Sequence, residues 1–389
     1  SLGIPLVTHN RWLDAGSPYR TQYQVSGNTV IDPAFWTDRA NYLKASGVIT
    51  YEQDWLSLNG LPDQSNLNDQ DAYLDNMAAG MASAGLEIQY CMGVGRHIMQ
   101  STKYANVTNA RVSADRFDST RWRQYFYGAR LAWSTRLWPW TDVFKTGERD
   151  NLLLSNLSAG VMGAGDAINA ASFTNIKKTI RPDAVIVKPD VPILLLDRSV
   201  VDHVAGRTTI ASIATTYTQH QGGRFTYVFG FTDVSNATAS FIPNELGYTG
   251  QVYVYDVIND SGKVLAATQA TSMTLAKSSV ASSTTPYRSA YNVVAPIGPS
   301  GIAFLGDRDK FVPLGRKRVS SLIDDGTVLV TLQYAAGEGA VTVQGYAPTA
   351  PTVTAVSGTV GSVAYNATTH RFTVAVTASG TSATIQIRP

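Results

Sequence analysis

Val48-Ile-Thr-Tyr-Glu-Gln-Asp-Trp-Leu56 is an apolar, β-branched run that ends abruptly in Glu52, Gln53, Asp54 and Trp55. Ahead of it, Phe35 to Lys44 is rich in Ala, Leu and aromatic residues and reads as a helix; behind it, Asn59 to Asp71 is a polar loop. A helix, a short buried strand and a carboxylate at the strand's C-terminal edge is how an α/β barrel presents catalytic groups. Asp54 is therefore expected to be a catalytic carboxylate.

Working outward, short apolar runs alternate with helical ones through the first half. Leu2–Thr8 reads as a strand, 33–45 as a helix, 48–54 as a strand and Tyr73–Ala84 as a helix. Strands are expected at Glu87–Met92, Asn109–Asp115 and near Leu137, with helices at Trp122–Ser134 and Asn151–Met162. Alternation of this kind implies a parallel sheet, and polar residues at successive strand ends favour a (β/α)8-type TIM barrel. After about residue 200, period-2 patterns take over in Phe225–Phe231, Gln251–Val257, Val328–Tyr334, Val341–Gln344 and Arg371–Thr377. The expected organisation is a barrel over 1–197 and an antiparallel β-sandwich region over 198–389, with a subdivision near 296–300.

The 389 residues are 44% hydrophobic and 15% charged, enough for a large core. A formal net charge of +2 gives no electrostatic case for nucleic acid or an anionic membrane. No apolar run reaches the roughly 20 residues of a membrane-spanning helix. The one cysteine, Cys91, excludes a disulfide framework. His203, His220 and His370 show no metal-ligand spacing, so neither metal nor cofactor is expected. Gly, Ser, Thr, Asn and Tyr are abundant and Lys is sparse, as in extracellular, carbohydrate-handling proteins. Sequons occur at Asn106, Asn156, Asn236, Asn259 and Asn366. Asn156 lies in an apolar stretch and is expected to be buried; the others are the expected glycosylation sites of a secreted protein.

Asp54, Asp115 and Asp142 each fall at or just past the end of an expected strand. On Asn109–Asp115, alternation would put Arg111, Ser113 and Asp115 on one face. Strand ends converge in a barrel, so Asp54 and Asp115 could face one another. Two carboxylates with an arginine between them are what glycosidic bond cleavage needs.

The order of segments resembles the catalytic domain of the α-galactosidases (melibiases) and the raffinose-synthase-like enzymes of the same clan. Leu2-Gly-Ile-Pro-Leu-Val-Thr8 resembles an early barrel strand, and Gly47-Val-Ile-Thr-Tyr-Glu-Gln-Asp54 the strand that ends in the nucleophile. Asn76-Met-Ala-Ala-Gly-Met-Ala-Ser-Ala-Gly-Leu-Glu-Ile-Gln-Tyr-Cys-Met92 resembles the next helix and strand. Arg111-Val-Ser-Ala-Asp115 with Trp122 matches the arginine and acid/base aspartate, and Leu137-Trp-Pro-Trp-Thr-Asp142 the loop of the seventh strand. The resemblance covers about residues 1–197 and implies retaining double displacement on α-galactoside-like substrates. It makes Asp54 the nucleophile, Asp115 the acid/base and Arg111 the clamp on a sugar hydroxyl. Trp55, Trp138 and Trp140 would stack on sugar, with Asp142 on the seventh-strand loop; His9, read from its place after the first strand, is an expected substrate-loop residue. Glu52 stands where the family carries lysine, placing two carboxylates on one strand face so that one stays protonated.

The chain is expected to enter the barrel at its third strand. A separate chain or segment would then supply the first two, because an open barrel exposes an apolar edge. The rival expectation is a secreted structural or carbohydrate-binding glycoprotein whose barrel has lost catalysis. Cys91, inside an apolar strand, is expected to be inert core rather than a nucleophile paired with His97.

Overall fold

A computed structural model describes residues 4–59, 67–207, 209–234, 236–279 and 287–389. These form two compact units, one of residues 1–117 and 121–142, the other of 118–120 and 143–389. The helix Arg149–Leu157 and residues 158–197 group with the second unit.

The first unit is a five-stranded parallel sheet: β1 (Leu6–Asn10), β2 (Val48–Gln53), β3 (Glu87–Tyr90), β4 (Val107–Arg111) and β5 (Trp138–Trp140), in that spatial order. Helices α1 (Pro33–Ala45), α2 (Leu67–Ser83), α3 (Gly95–Gln100) and α4 (Trp122–Ser134) fall between the strands. Asp32 caps α1 by accepting from the Ala34 amide at 2.9 Å, with Pro33 as its first residue, the arrangement that stops and starts a chain at a helix entry. Gly80 lets α2 close on α1, since a Cβ there would stand 2.7 Å from Trp36. Phe35, Trp36, Leu74, Met77 and Met81 pack with Tyr51, Ile88, Tyr90 and Ala110 in one core, so that face of the sheet is the helix-covered one.

Two expectations change. The strand pairings among the described residues run as an open path from β1 to β5, with no closed barrel. Leu6 and Val7 on β1 are 49% and 57% exposed, the apolar edge an open barrel would show. The strand expected over Asn109–Asp115 stops at Arg111, so Ser113 and Asp115 lie in the following loop rather than in strand alternation.

The second unit is mainly antiparallel. Gly223–Thr232 pairs with Ser212–His220 and Arg288–Pro296, and Val252–Asp256 extends that sheet. Two further sheets follow residue 300, one containing Ala303–Asp307, Val341–Tyr346 and Arg371–Thr377, the other Val319–Asp324, Val328–Gln333 and Ser382–Arg388. The period-2 reading of this half matches these strands closely; Arg288–Pro296 belongs to the first of these sheets and Ala303–Asp307 to a later one.

Candidate functional site

Alternation along the strands puts Thr50, Glu52 and Asp54 of the β2 segment on the face away from the helices. Register pairs His9 with Glu52, Glu52 with Gln89, Gln89 with Asn109 and Asn109 with Trp138, forming one polar layer. Asp54, Cys91, Arg111 and Trp140 belong to the next layer toward the strands' C-terminal ends. Backbone bonds hold that layer: Asp54 N–H donates to Asn10 O and Cys91 N–H to Gln53 O, both at 2.9 Å. Behind them, the buried Gln53 amide donates to the Arg11 and Asp54 carbonyls and accepts from the Tyr51 hydroxyl.

Asp54 is surrounded by donors. His9 Nε2 lies 3.0 Å from Oδ2, the Trp55 N–H donates to Oδ1 at 2.7 Å, and the Cys91 thiol donates as well. Burial works to raise the Asp54 carboxyl. The hydrogen bonds from Cys91, His9 and Trp55 and the charge of Arg111 outweigh it and hold the group below the usual carboxylate value. Glu52 goes the other way: burial raises it, Asp54 adds to that, and His9, Cys91 and Gln89 only partly oppose the shift. Two carboxyls on one strand face are thus driven apart in proton affinity. Burial and the bond to Asp54 also push the Cys91 thiol up, so it stays a neutral donor rather than a nucleophile.

Arg111 is 8% exposed and its Nη1 bridges Asp115 Oδ1 and Asp142 Oδ2, each at 2.5 Å. Asp142 is as buried as the arginine, but Asp115 is 89% exposed. Trp55 (φ 57°), Met92 (φ 52°), Arg116 (φ 53°) and Asp142 (φ 73°) are left-handed, all within four residues of these side chains or among them. Strain of this kind in bulky residues persists only where the surroundings enforce it, and it clusters at ligand sites. Trp55 packs against Trp12 with ring centroids 4.5 Å apart and planes tilted by 43°, and the Arg11 guanidinium covers both rings at 5.3 and 5.4 Å. His9, Asn10, Arg11, Trp12 and Asp14 line an open cleft of about 480 Å³.

No family model matches the sequence, and no curated protein matches it. Solved structures do. A candidate α-N-acetylgalactosaminidase from Bacillus halodurans is 13% identical over 76% of each chain, with a TM-score of 0.50. A dextranase from Flavobacterium johnsoniae, complexed with glucose, is 12% identical over 92% of this chain and 55% of its own, with a TM-score of 0.40. At 13% identity the likeness to the first of these is one of fold.

The remaining residues singled out in the sequence are distributed unevenly. Trp138 is half-buried against Trp133, ring centroids 5.1 Å apart, and Trp140 is buried, so packing occupies much of both rings. Among the sequons, Asn156 is fully buried and its Nδ2 donates to Val187 O at 3.0 Å. Asn106 is half-buried and its amide donates to Ala78 O and Leu86 O, whereas Asn236, Asn259 and Asn366 are exposed. Sequence reasoning missed Trp12, Gln89 and Asn109. The signal was present: uncharged amides at inward positions of buried strands have no packing reason to be there. Asn109 Oδ1, Arg111 Nε and Trp140 Nε1 are buried without a hydrogen-bond partner among the described residues, and such groups call for one.

Proposed function

We propose that this protein is a retaining glycoside hydrolase acting on α-linked, α-galactoside-like glycosides, with Asp54 as the nucleophile. The observation that carries the reading is Asp54 at the end of β2: His9 Nε2 at 3.0 Å, the Trp55 N–H at 2.7 Å, Cys91 and the charge of Arg111 hold its carboxyl below the usual value, as a nucleophile requires. A glycosidase needs one ionised and one protonated carboxyl flanking the bond it cleaves. Asp115 is the acid/base that the sequence resemblance nominates, and Arg111 and Asp142 would bind sugar hydroxyls beside it. The α-linkage rests on that resemblance. A panel of aryl α-glycosides tests the reading with the native protein and Asp54→Asn. Turnover abolished by the substitution supports it. A native protein inert across the panel, yet binding sugars, would favour the carbohydrate-binding alternative.

The exposed Leu6 and Val7 favour a further segment or separate chain adding parallel strands beside β1. Slow amide exchange over Leu6–Asn10 would support that arrangement, and exchange as fast as in an exposed loop would count against it. A secretory route, with glycans on exposed Asn236, Asn259 or Asn366, is tested by intact mass before and after deglycosylation.

A further inference from the structure

We propose that Arg11, laid over Trp12 and Trp55 beside Asp54, binds a carboxylate on the substrate, so that the sugar taken here is a uronic acid. This deepens the glycosidase reading, on which it rests, by naming a class of sugar.

Trp55 ties this cluster to the candidate nucleophile. Its backbone N–H donates to Asp54 Oδ1 at 2.7 Å, while its ring packs against Trp12 with centroids 4.5 Å apart. The Arg11 guanidinium lies over both rings, 5.3 and 5.4 Å from their centroids. The segment that carries Arg11 and Trp12 is fixed from both sides. Buried Gln53 donates to Arg11 O at 2.9 Å, and Leu13 N–H donates to Asn28 O at 3.1 Å. The Arg20 guanidinium donates to Leu13 O at 2.7 Å, Asp14 O at 2.9 Å and Gly27 O at 3.0 Å. A side chain held on so braced a loop has little freedom left to lose when a ligand arrives.

The charges around the cleft single out Arg11. It is exposed, and among the described residues no carboxylate forms an ion pair with it. His9 is turned to Asp54 at 3.0 Å. Asp14 Oδ1 accepts from the Gly16 N–H at 2.8 Å, within its own turn. The indoles cover a face of the guanidinium and leave its N–H edges toward the cleft of about 480 Å³. A guanidinium stacked in this way is pre-organised, and its planar fork matches a carboxylate through two parallel hydrogen bonds.

The test is titration calorimetry with digalacturonate and its dimethyl ester, which differ in charge but not in ring structure. The native protein should bind the acid roughly 10–100-fold more tightly, the range expected of hydrogen bonds to a charged group. Arg11→Gln, a change at an exposed side chain, should bind the two alike. Arg11→Lys keeps the charge without the fork and should fall between. Three results overturn the proposal: native protein that binds neither ligand or both equally, a preference that survives in Arg11→Gln, or galactobiose 6-sulfate bound more tightly than digalacturonate. Binding is read without turnover, so the two readings fail separately. An acid preference in a protein inert on aryl α-glycosides keeps the Arg11 assignment and removes the glycosidase reading. Turnover of aryl α-galactosides with no acid preference does the reverse.

Discussion

His9 Nε2 stands 3.0 Å from Asp54 Oδ2, linking β1 to β2 through side chains one layer above the Glu52 pairing. The exposed histidine is thus one of the groups that keep the aspartate ionised. Because the folded-state value of Asp54 lies below the ordinary one, the stability it contributes is present above its unfolded value. That stability is lost as pH falls through the folded value. Removing His9 should weaken both effects. His9→Phe is expected to move the acidic limb of the pH–activity profile upward and to reduce the pH dependence of stability below pH 5. An unshifted acidic limb would show that Cys91 and Trp55 suffice.

Glu52 predicts the reverse dependence. Its folded-state value is raised, so its contribution to stability is fully present below the unfolded value and is lost as pH rises through the folded one. Glu52→Gln should therefore gain stability relative to the native protein as pH rises from 4 toward 7. Urea midpoints across that range measure it, and parallel curves for the two proteins would contradict it.

Arg111 and Asp115 separate burial from proximity. Replacing Arg111 by Met removes the cation opposite buried Asp142, a loss expected to cost about 3–5 kcal/mol. Asp115→Asn breaks an equally short contact at the solvent boundary and should cost no more than about 1 kcal/mol. Denaturation midpoints of the two variants give the comparison, and equal losses would mean that Asp115 is less exposed in solution.

The sequence carried the parallel half well because each strand there is a β-branched or aromatic run bounded by a helix with its own stop signals, as at Asp32-Pro33. The strand end at Arg111 was not legible. Val112 N–H still donates to Trp140 O at 3.0 Å, and Ser113 Oγ donates to Thr141 O, so the chain runs beside β5 without strand geometry. Period-2 alternation cannot register that departure, although Asp115 still meets Arg111 at 2.5 Å from the loop. The open strand path was equally hidden, since local pattern specifies which residues form strands but not whether the sheet closes. Trp12 was overlooked because its partner, Trp55, is 43 positions away and meets it only after β1 and β2 pair.

Cys91 makes a direct chemical prediction. Burial and its bond to Asp54 hold the thiol protonated, so the native protein should resist thiol reagents at pH 8. One equivalent should react once denaturant is added. Stoichiometric labelling of the native protein would contradict the donor role, whereas Cys91→Ser, which keeps a donor, should retain more activity than Cys91→Ala.

Gly128 decides how closely α4 approaches the loop that follows β4. A Cβ built there would lie 2.7 Å from Val112 Cβ and 2.8 Å from Val112 O, closer than atoms pack. Val112 follows Arg111 directly, and its amide bond to Trp140 O ties this loop to β5. Alanine at this mid-helix position would gain roughly 0.5–1 kcal/mol in helix preference, but overpacking of a filled core typically costs about 1–3 kcal/mol. The net expectation for Gly128→Ala is a destabilised protein in which Arg111 no longer bridges Asp115 and Asp142 well. Activity should then fall even at temperatures where the variant is fully folded. Gly95→Ala is the matched control, since nothing lies within 4 Å of its added Cβ and substitutions in open, compatible positions are neutral or stabilising. Thermal unfolding with activity assays on both variants tests the argument; a Gly128→Ala protein as stable and active as the control would show that Val112 moves aside without disturbing Arg111.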